Sequence, residues 1–126
     1  MGTGTVLVVD DDDDLRETVE VLLRAHGYRV ATAASGLEAL EWLRERAADT
    51  CVVLLDLMMP GMDGFTLRST MSADPLLSPI PVVVVTGAGV LARQRGAELR
   101  AEVLHKPLDL SVLLGAIRKH CQEARP

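Results

Sequence analysis

Polar residues with chemically active side chains stand directly after four of the five apolar, β-branched runs of the chain. They are Asp10 and Asp11 after the first run, Asp56 after the third, Thr86 after the fourth and Lys106 after the fifth. The carboxyl ends of parallel strands lie along one edge of an open sheet, and ligands bind where the strand order reverses. With a strand order of 2-1-3-4-5, the first and third strands are neighbours. We therefore expect Asp10, Asp11 and Asp56 to converge.

A group of three carboxylates favours a bound cation. At about 4 Å and an effective dielectric near 20, each pair of like charges costs about 4 kcal/mol. An open, all-oxygen site suits Mg²⁺, which keeps several waters and recruits phosphate oxygens, whereas zinc would call for thiolate or imidazole ligands. Beside such a metal, Asp56 can be the nucleophile of a phosphoryl transfer. Lys106 would supply positive charge to the phosphoryl oxygens and Thr86 a hydroxyl donor.

The elements that must position these residues alternate between strand and helix. Period-2 or continuous apolar patterns predict five strands, at Thr5–Val9, Tyr28–Thr32, Cys51–Leu55, Pro81–Val85 and Glu102–His105. Apolar stripes at helical spacing predict a helix after each strand. The stripes comprise Leu15, Val19, Leu22 and Leu23; Leu37, Leu40 and Leu43; Phe65 and Met71; Leu91, Ala92 and Leu99; and Leu110, Leu113, Leu114, Ile117 and Cys121. This alternation predicts an α/β fold with a doubly wound, five-stranded parallel sheet and five helices.

Composition limits the remaining possibilities. With 126 residues the chain fits one domain, 1–126, and 48% apolar residues exclude a disordered chain. A net charge of −5 opposes a nucleic-acid module that works through a basic face. No apolar run reaches membrane-spanning length and no signal peptide is recognisable, so we expect a cytoplasmic protein. Cys51 and Cys121 are expected to be buried or half-buried free thiols.

Four motifs together resemble the defining motifs of response-regulator receiver domains, over about residues 5 to 121. They are Val8-Val9-Asp10-Asp11, Leu55-Asp56-Leu57-Met58-Met59-Pro60-Gly61-Met62-Asp63-Gly64, Val85-Thr86-Gly87 and Lys106-Pro107. The resemblance implies the flavodoxin-like receiver fold of the chemotaxis-regulator type, in a two-component phosphorelay. It also implies that this chain carries no effector domain and is not a turnover enzyme.

The resemblance also assigns roles to individual residues. Asp56 would be the phosphoacceptor, with a phosphohistidine on a sensor histidine kinase or phosphotransfer protein as the donor. Mg²⁺ would be bound by Asp11, Asp56 and the backbone carbonyl of Met58, with Asp10 acting through a water. Thr86 would be the switch hydroxyl and Lys106 the ion-pair partner of the phosphoryl group. The downstream partner is open, and a homodimer is possible.

Two features depart from the family's common pattern. Three residues before the lysine, where members often carry a Tyr or Phe that swings inward on activation, this chain has Val103. In addition, Thr86 is followed by Gly87-Ala88-Gly89, a flexible loop. We therefore expect the response to phosphorylation to appear at the fourth strand, the weak fourth helix and the fifth strand, without an aromatic swing.

Three other functions compete with a phosphoaccepting module. A Mg²⁺-dependent phosphatase or phosphotransferase with an aspartyl intermediate usually has a second acid two residues after the nucleophile, where this chain has Met58. A constitutive interaction domain with a vestigial site is opposed by the intact Asp, Thr and Lys set. Flavin binding would need a phosphate-cradling loop after the first strand and aromatic residues to sandwich the ring.

Overall fold

The chain folds into a five-stranded parallel sheet covered by helices on both faces. The computed structural model describes residues 4–87 and 89–121, and of residues 90–92 only the backbone. The elements are β1 (Thr5–Val9), α1 (Asp13–Ala25), β2 (Arg29–Ala33), α2 (Gly36–Arg46), a 3-10 turn (Ala47–Asp49), β3 (Thr50–Asp56), α3 (Gly64–Ala73), β4 (Val82–Thr86), α4 (Gly89–Leu99), β5 (Glu102–His105) and α5 (Leu110–Arg118). The strand order is β2-β1-β3-β4-β5, which confirms the predicted topology.

The central strands are buried on both faces because they consist of apolar, mainly β-branched residues. Successive side chains point to opposite faces of the sheet, so each strand contributes to two separate cores. In β1, Leu7 and Val9 belong to the core that α2, α3 and α4 cover. Val6 and Val8 belong to the core that α1 and α5 cover. This is the doubly wound arrangement that the sequence predicts.

Four of the five helices begin at a side chain that caps the first turn. The side chains of Asp12, Ser35, Asp63 and Asp109 accept hydrogen bonds from backbone amides three residues ahead. Such caps satisfy amides that have no partner within the helix, and each is worth about 1 kcal/mol. Asp13 and Asp14 follow in the first turn of α1, where negative charge is favourable. The last three residues of the five-aspartate run, Asp12 to Asp14, therefore stabilise the start of α1.

Strand bounds and one core position of the predicted pattern differ in the structure. The third strand runs over Thr50–Asp56 instead of 51–55, and the fourth over Val82–Thr86 instead of 81–85. The second strand begins at Arg29, one residue later than predicted, because Tyr28 closes the turn after α1, where its amide bonds the Leu23 carbonyl. Leu37 was expected to face the core, but its side chain is 58% exposed. Helix α2 instead buries the stripe that starts at Gly36, which packs closely on Met62, and Leu37 lies about 100° further round the helix.

The two cysteines form a disulfide, so the prediction of free thiols was wrong. Cys51 is half-buried and Cys121 is buried, as expected, and both lie on the sheet face that α1 and α5 cover. Their Cα atoms are 5.4 Å apart although 70 residues separate them along the chain. The fold brings the second residue of β3 beside the end of the α5 segment, a proximity that spacing along the chain does not indicate.

Helix α4 forms where the sequence pattern is weakest. Its last residue, Leu99, is fully buried, as predicted. The other two predicted core positions, Leu91 and Ala92, lie outside the described side chains, and Ala88 lies outside the described residues. None of the helices within the described ranges is both long and apolar enough to cross a membrane.

Candidate functional site

The sheet register brings the polar residues at the strand ends to one edge. In the β1–β3 pair Val9 lies opposite Leu55, so the following residues, Asp10 and Asp56, are neighbours across the strands. Asp56 is the last residue of β3 and pairs with Val85. Thr86 then ends β4 and is fully buried. The switch point between β1 and β3 therefore carries a carboxylate on each side.

The three predicted carboxylates form one cluster. Ligand oxygens of Asp10, Asp11 and Asp56 all lie within 4.8 Å of one another. Asp10 and Asp56 are buried, at 6% and 7% exposure, whereas Asp11 is exposed at the mouth of the site. Negative charge is thus concentrated in the buried part of the pocket.

Lys106 directly follows β5, two strands away from β3, and its side chain extends to this cluster. Its Nζ lies 3.5 Å from Asp10 Oδ2 and 3.8 Å from Asp56 Oδ2. The Lys106 amide donates to the Thr86 carbonyl at 2.9 Å, which fixes the start of the loop, and the peptide to Pro107 is cis. The long lysine stem spans two strands, as the sequence predicts.

Asp56 has an unusual protonation equilibrium. Burial, followed by the neighbouring charge of Asp10, raises its pKa from 3.8 to about 6, with a smaller contribution from Asp11. The positive charge of Lys106 and the hydrogen bond from the Met58 amide act in the opposite direction without restoring the ordinary value. One lysine does not compensate three carboxylates, so the site retains excess negative charge.

One residue beside the cluster, Arg16, was not predicted from the sequence. Arg16, on the first turns of α1, donates from Nη1 to the Asp10 carbonyl at 2.7 Å and from Nη2 to the Asp13 carboxylate. It holds the backbone of Asp10, whose Oδ1 also accepts from the Asp12 amide at 2.9 Å. Its sequence signal is weak, since an arginine three residues after an aspartate near a helix start usually forms only a surface ion pair.

The loop after Asp56 packs tightly onto the strand that precedes it. The Gly64 amide donates to the Leu57 carbonyl at 2.9 Å. A Cβ at Gly64 would lie 2.7 Å from the Asp56 carbonyl oxygen and 2.8 Å from Leu57 Cα. Only glycine allows this approach, so α3 begins in direct contact with the phosphoacceptor candidate. Pro60 lies within the same loop and is exposed.

The donor set of this pocket fits a hard divalent cation. Asp10, Asp11 and Asp56 offer carboxylate oxygens, the ligand type that Mg²⁺ prefers, and the raised pKa of Asp56 reflects negative charge that a cation would neutralise. Asp10 already engages the Asp12 amide and Lys106 with its two oxygens. The exposed Asp11 is better placed to bind a metal directly.

The chain matches a family model described as "Response regulator receiver domain" over residues 6–118. The chain is a response-regulator receiver domain. Among curated proteins, it is 40% identical over 118 residues to the response regulator PleD of Caulobacter vibrioides, covering 92% of this chain and 26% of that protein. It is 36% identical over 120 residues to the transcriptional regulatory protein AfsQ1 of Streptomyces coelicolor, covering 90% of this chain and 49% of that protein. The receiver domain therefore spans between a quarter and half the length of these relatives.

Solved structures support the same membership. A response-regulator receiver protein from Pseudomonas putida superimposes with a TM-score of 0.86 at 27% identity, covering 95% of this chain and 99% of that chain. A response regulator from Chloroflexus aurantiacus gives a TM-score of 0.85 at 34% identity, covering 94% of this chain and 97% of that chain. This receiver domain thus has the flavodoxin-like receiver fold of two-component signalling proteins.

Proposed function

We propose that this receiver domain accepts a phosphoryl group on Asp56 and thereby controls a partner or output domain. The convergence of Asp10, Asp11 and Asp56 with Lys106 Nζ, which lies 3.8 Å from Asp56 Oδ2, is the observation that carries the proposal. The raised pKa of Asp56 adds to it, because perturbed carboxyls in a cluster of charges are typical of functional sites.

The proposed transfer requires little from the protein beyond position and charge. An Asp56 carboxylate oxygen attacks the phosphorus of a phosphohistidine, the P–N bond breaks, and the imidazole leaves with a proton from solvent. Lys106 would pair with the phosphoryl oxygens and the Thr86 hydroxyl would donate to one of them. Asp56 is nine-tenths buried beside these groups, which strengthens each electrostatic contact.

Mg²⁺ is the metal that we propose for this site. Asp11, Asp56 and the Met58 backbone carbonyl would be direct ligands, and Asp10 would act through a water. When bound, the cation would offset repulsion between the carboxylates and the incoming phosphoryl group. Because Met58 stands where aspartyl-intermediate phosphatases usually carry a second acid, we expect self-dephosphorylation and no turnover of an external substrate.

We also propose which kinds of partner this domain has and where it responds to phosphorylation. A sensor histidine kinase or phosphotransfer protein would supply the phosphoryl group in the cytoplasm, and direct nucleic-acid or membrane binding by this domain is not expected. Residues 1–126 would form one receiver domain. A homodimer is possible, and the responsive surface would comprise β4, α4 and β5.

The acceptor assignment is tested with a small phosphodonor. In the presence of Mg²⁺ and acetyl phosphate, the protein should gain one base-labile phosphoryl group, measured as an increase in intact mass. Asp56→Asn should abolish the increase because it removes the nucleophilic carboxylate, while Asp14→Asn on the exposed start of α1 should leave it unchanged. Labelling that persists in Asp56→Asn would refute the assignment.

A further inference from the structure

Within the described part of the chain, two arginine side chains connect helix α4 to α3. Among the described side chains of α4, only Leu99 is fully buried, and Arg93, Gln94 and Glu98 are exposed. Two contacts between α4 and α3 involve Arg95 and Arg68. Such contacts can be rearranged at lower free-energy cost than an interdigitated apolar core.

The first contact is a cation–π pair in the middle of α4. The Arg95 guanidinium lies 3.9 Å from the centroid of the Phe65 ring, and the ring itself is buried, at 6% exposure. Arg95 also forms a two-pronged ion pair with Glu98, with both N–O distances at 2.9 Å. Glu98 thereby holds the guanidinium in an orientation that covers the Phe65 ring.

The second contact binds the carboxyl end of α4. Arg68, on α3, donates from Nε to the Leu99 carbonyl at 2.7 Å and from Nη2 to the Arg100 carbonyl at 3.4 Å. Arg100 has a φ of 48°, in the left-handed region that ends helices. Burial and then the charge of Arg100 lower the pKa of the Arg68 guanidinium. Its buried Nη1 has no hydrogen-bond partner within the described part of the chain.

The same face of α3 begins beside the phosphoacceptor. Phe65 directly follows Gly64, whose amide bonds the Leu57 carbonyl and whose Cα packs against the Asp56 carbonyl. A displacement of the backbone at Asp56 and Leu57 therefore moves the first turn of α3, which carries the Phe65 ring. Phe65 is therefore linked to the site loop through its neighbour Gly64 and to α4 through Arg95.

We propose that Arg95 and Arg68 are positioning residues that hold α4 against α3, and that phosphorylation of Asp56 loosens α4 by shifting Phe65 under Arg95. This inference rests on the function proposed above and supplies a coupling route that needs no aromatic ring at Val103. The phosphoryl group would contact the Asp56 loop differently when α4 is attached and when it is loosened. This difference would favour the loosened arrangement.

The experiment measures amide exchange of residues 89–99 with and without beryllofluoride and Mg²⁺, together with the affinity for beryllofluoride. In the parent, beryllofluoride should increase exchange in α4. Arg95→Ala should exchange rapidly in α4 already without beryllofluoride, which should then add little. By thermodynamic linkage, its beryllofluoride affinity should rise about two- to fivefold, the range expected for loss of one exposed cation–π contact.

Two further variants separate coupling from general weakening. Arg95→Lys keeps a cation over the ring and should restore most of the beryllofluoride response. Arg46→Ala removes a comparable contact on α2, where the guanidinium lies 4.8 Å from the Trp42 centroid, and should behave like the parent. Arg68→Gln, which loses the charge and the Nε donor, should resemble Arg95→Ala.

Specific outcomes would overturn the inference. If Arg95→Ala raises exchange equally in both states and leaves beryllofluoride affinity unchanged, the contact is structural only. If Arg46→Ala changes exchange in α4 and beryllofluoride affinity as much as Arg95→Ala does, the Arg95 contact is likewise structural only. If the parent binds beryllofluoride but exchange in α4 does not change, the coupling route alone is refuted. If the parent does not bind beryllofluoride, the proposed function itself is refuted, and the coupling route with it.

Discussion

At the scale of single residues, Asp56 combines two properties that conflict in the absence of a cation. It is buried, and it lies within 4.8 Å of two further carboxylates. Lys106 approaches both buried acids, yet the pKa of Asp56 stays raised to about 6. A nucleophile must be ionised to attack phosphorus, so this pocket would function best near neutral pH and with a cation bound.

This conflict predicts a pH-dependent effect of Asp56→Asn on stability. The folded protein binds the Asp56 proton more tightly than the unfolded chain, since the pKa rises from 3.8 to about 6. The stability associated with that proton is therefore present below about pH 4 and is lost as pH rises through about 6. Without metal, Asp56→Asn should be more stable than the parent at pH 8, by on the order of 2 kcal/mol.

Denaturant unfolding in EDTA between pH 4 and pH 8 measures this difference. The advantage of Asp56→Asn should shrink towards pH 4, where the parent's Asp56 is protonated. Asp14→Asn, at the exposed start of α1, is the matched control and should show a small difference that hardly varies with pH. A constant advantage across the range would mean that Asp56 is not the titrating group.

Asp11 provides a separate test of the metal site. Asp11→Asn removes a charge from the exposed mouth of the cluster and should weaken Mg²⁺ binding by about tenfold or more, because the direct carboxylate ligand proposed for the metal would be lost. Asp14→Asn removes the same charge from the same acidic run, outside the cluster, and should change affinity less than twofold. Titration calorimetry gives both values, and similar affinities in the two variants would exclude Asp11 as a ligand.

At the scale of elements, the loop between β3 and α3 joins the site to the rest of the helical layer. It starts directly after Asp56, ends at the Asp63 cap, and is closed by the close approach of Gly64 to the Asp56 carbonyl. Loops that carry function are usually positioned by a rigid scaffold. Here the close approach of Gly64 to the Asp56 carbonyl positions the loop, because any side chain at residue 64 would push α3 away from β3.

Gly64→Ala should consequently destabilise the domain and slow its phosphorylation. The added Cβ would lie 2.7 Å from the Asp56 oxygen and 2.8 Å from Leu57 Cα, both backbone atoms that cannot rotate away. We expect a loss of about 2 kcal/mol or more, as for other overpacked sites. Gly115→Ala in α5 is the matched control, since the added Cβ would meet nothing within 4 Å. Because alanine favours helix over glycine, this substitution should raise the free energy of unfolding by about 0.5–1 kcal/mol. Thermal unfolding and acetyl phosphate labelling compare the two, and a neutral Gly64→Ala would contradict the contact.

At the scale of the whole molecule, the two faces of the sheet differ in how they are held. The face under α2, α3 and α4 includes α4, which Arg95 and Arg68 connect to α3. Both faces have an apolar core, and the face under α1 and α5 also carries the Cys51–Cys121 disulfide. Conformational change should therefore concentrate on the first face, while the second serves as the fixed part.

The disulfide predicts that stability depends on the redox state. Opening it frees a loop of about 70 residues in the unfolded chain, and such cross-links typically contribute about 2–4 kcal/mol. Thermal unfolding should shift to lower temperature on addition of reductant. Cys51→Ser should show the lower midpoint already and should not respond to reductant. An identical midpoint for the parent with and without reductant would mean that the bond contributes nothing.

The order of elements and the acidic site follow from the sequence alone, since both depend on local patterns. The β-branched runs, the caps at Asp12 and Asp109 and the polar residues at the strand ends each carry their signal within a few residues. With the strand order 2-1-3-4-5, which the family resemblance implies, β1 and β3 are neighbours, and their carboxyl ends bring Asp10, Asp11 and Asp56 together.

Contacts between distant parts of the chain were decided only by the tertiary structure. The Cys51–Cys121 bond spans 70 residues, and Arg68 reaches Leu99 across 31. The burial of α2 depends on how Gly36 meets Met62, which left Leu37 in solvent against expectation. Periodicity records which residues prefer burial, but the packing angle of each helix selects the residues that are buried and the polar groups that meet.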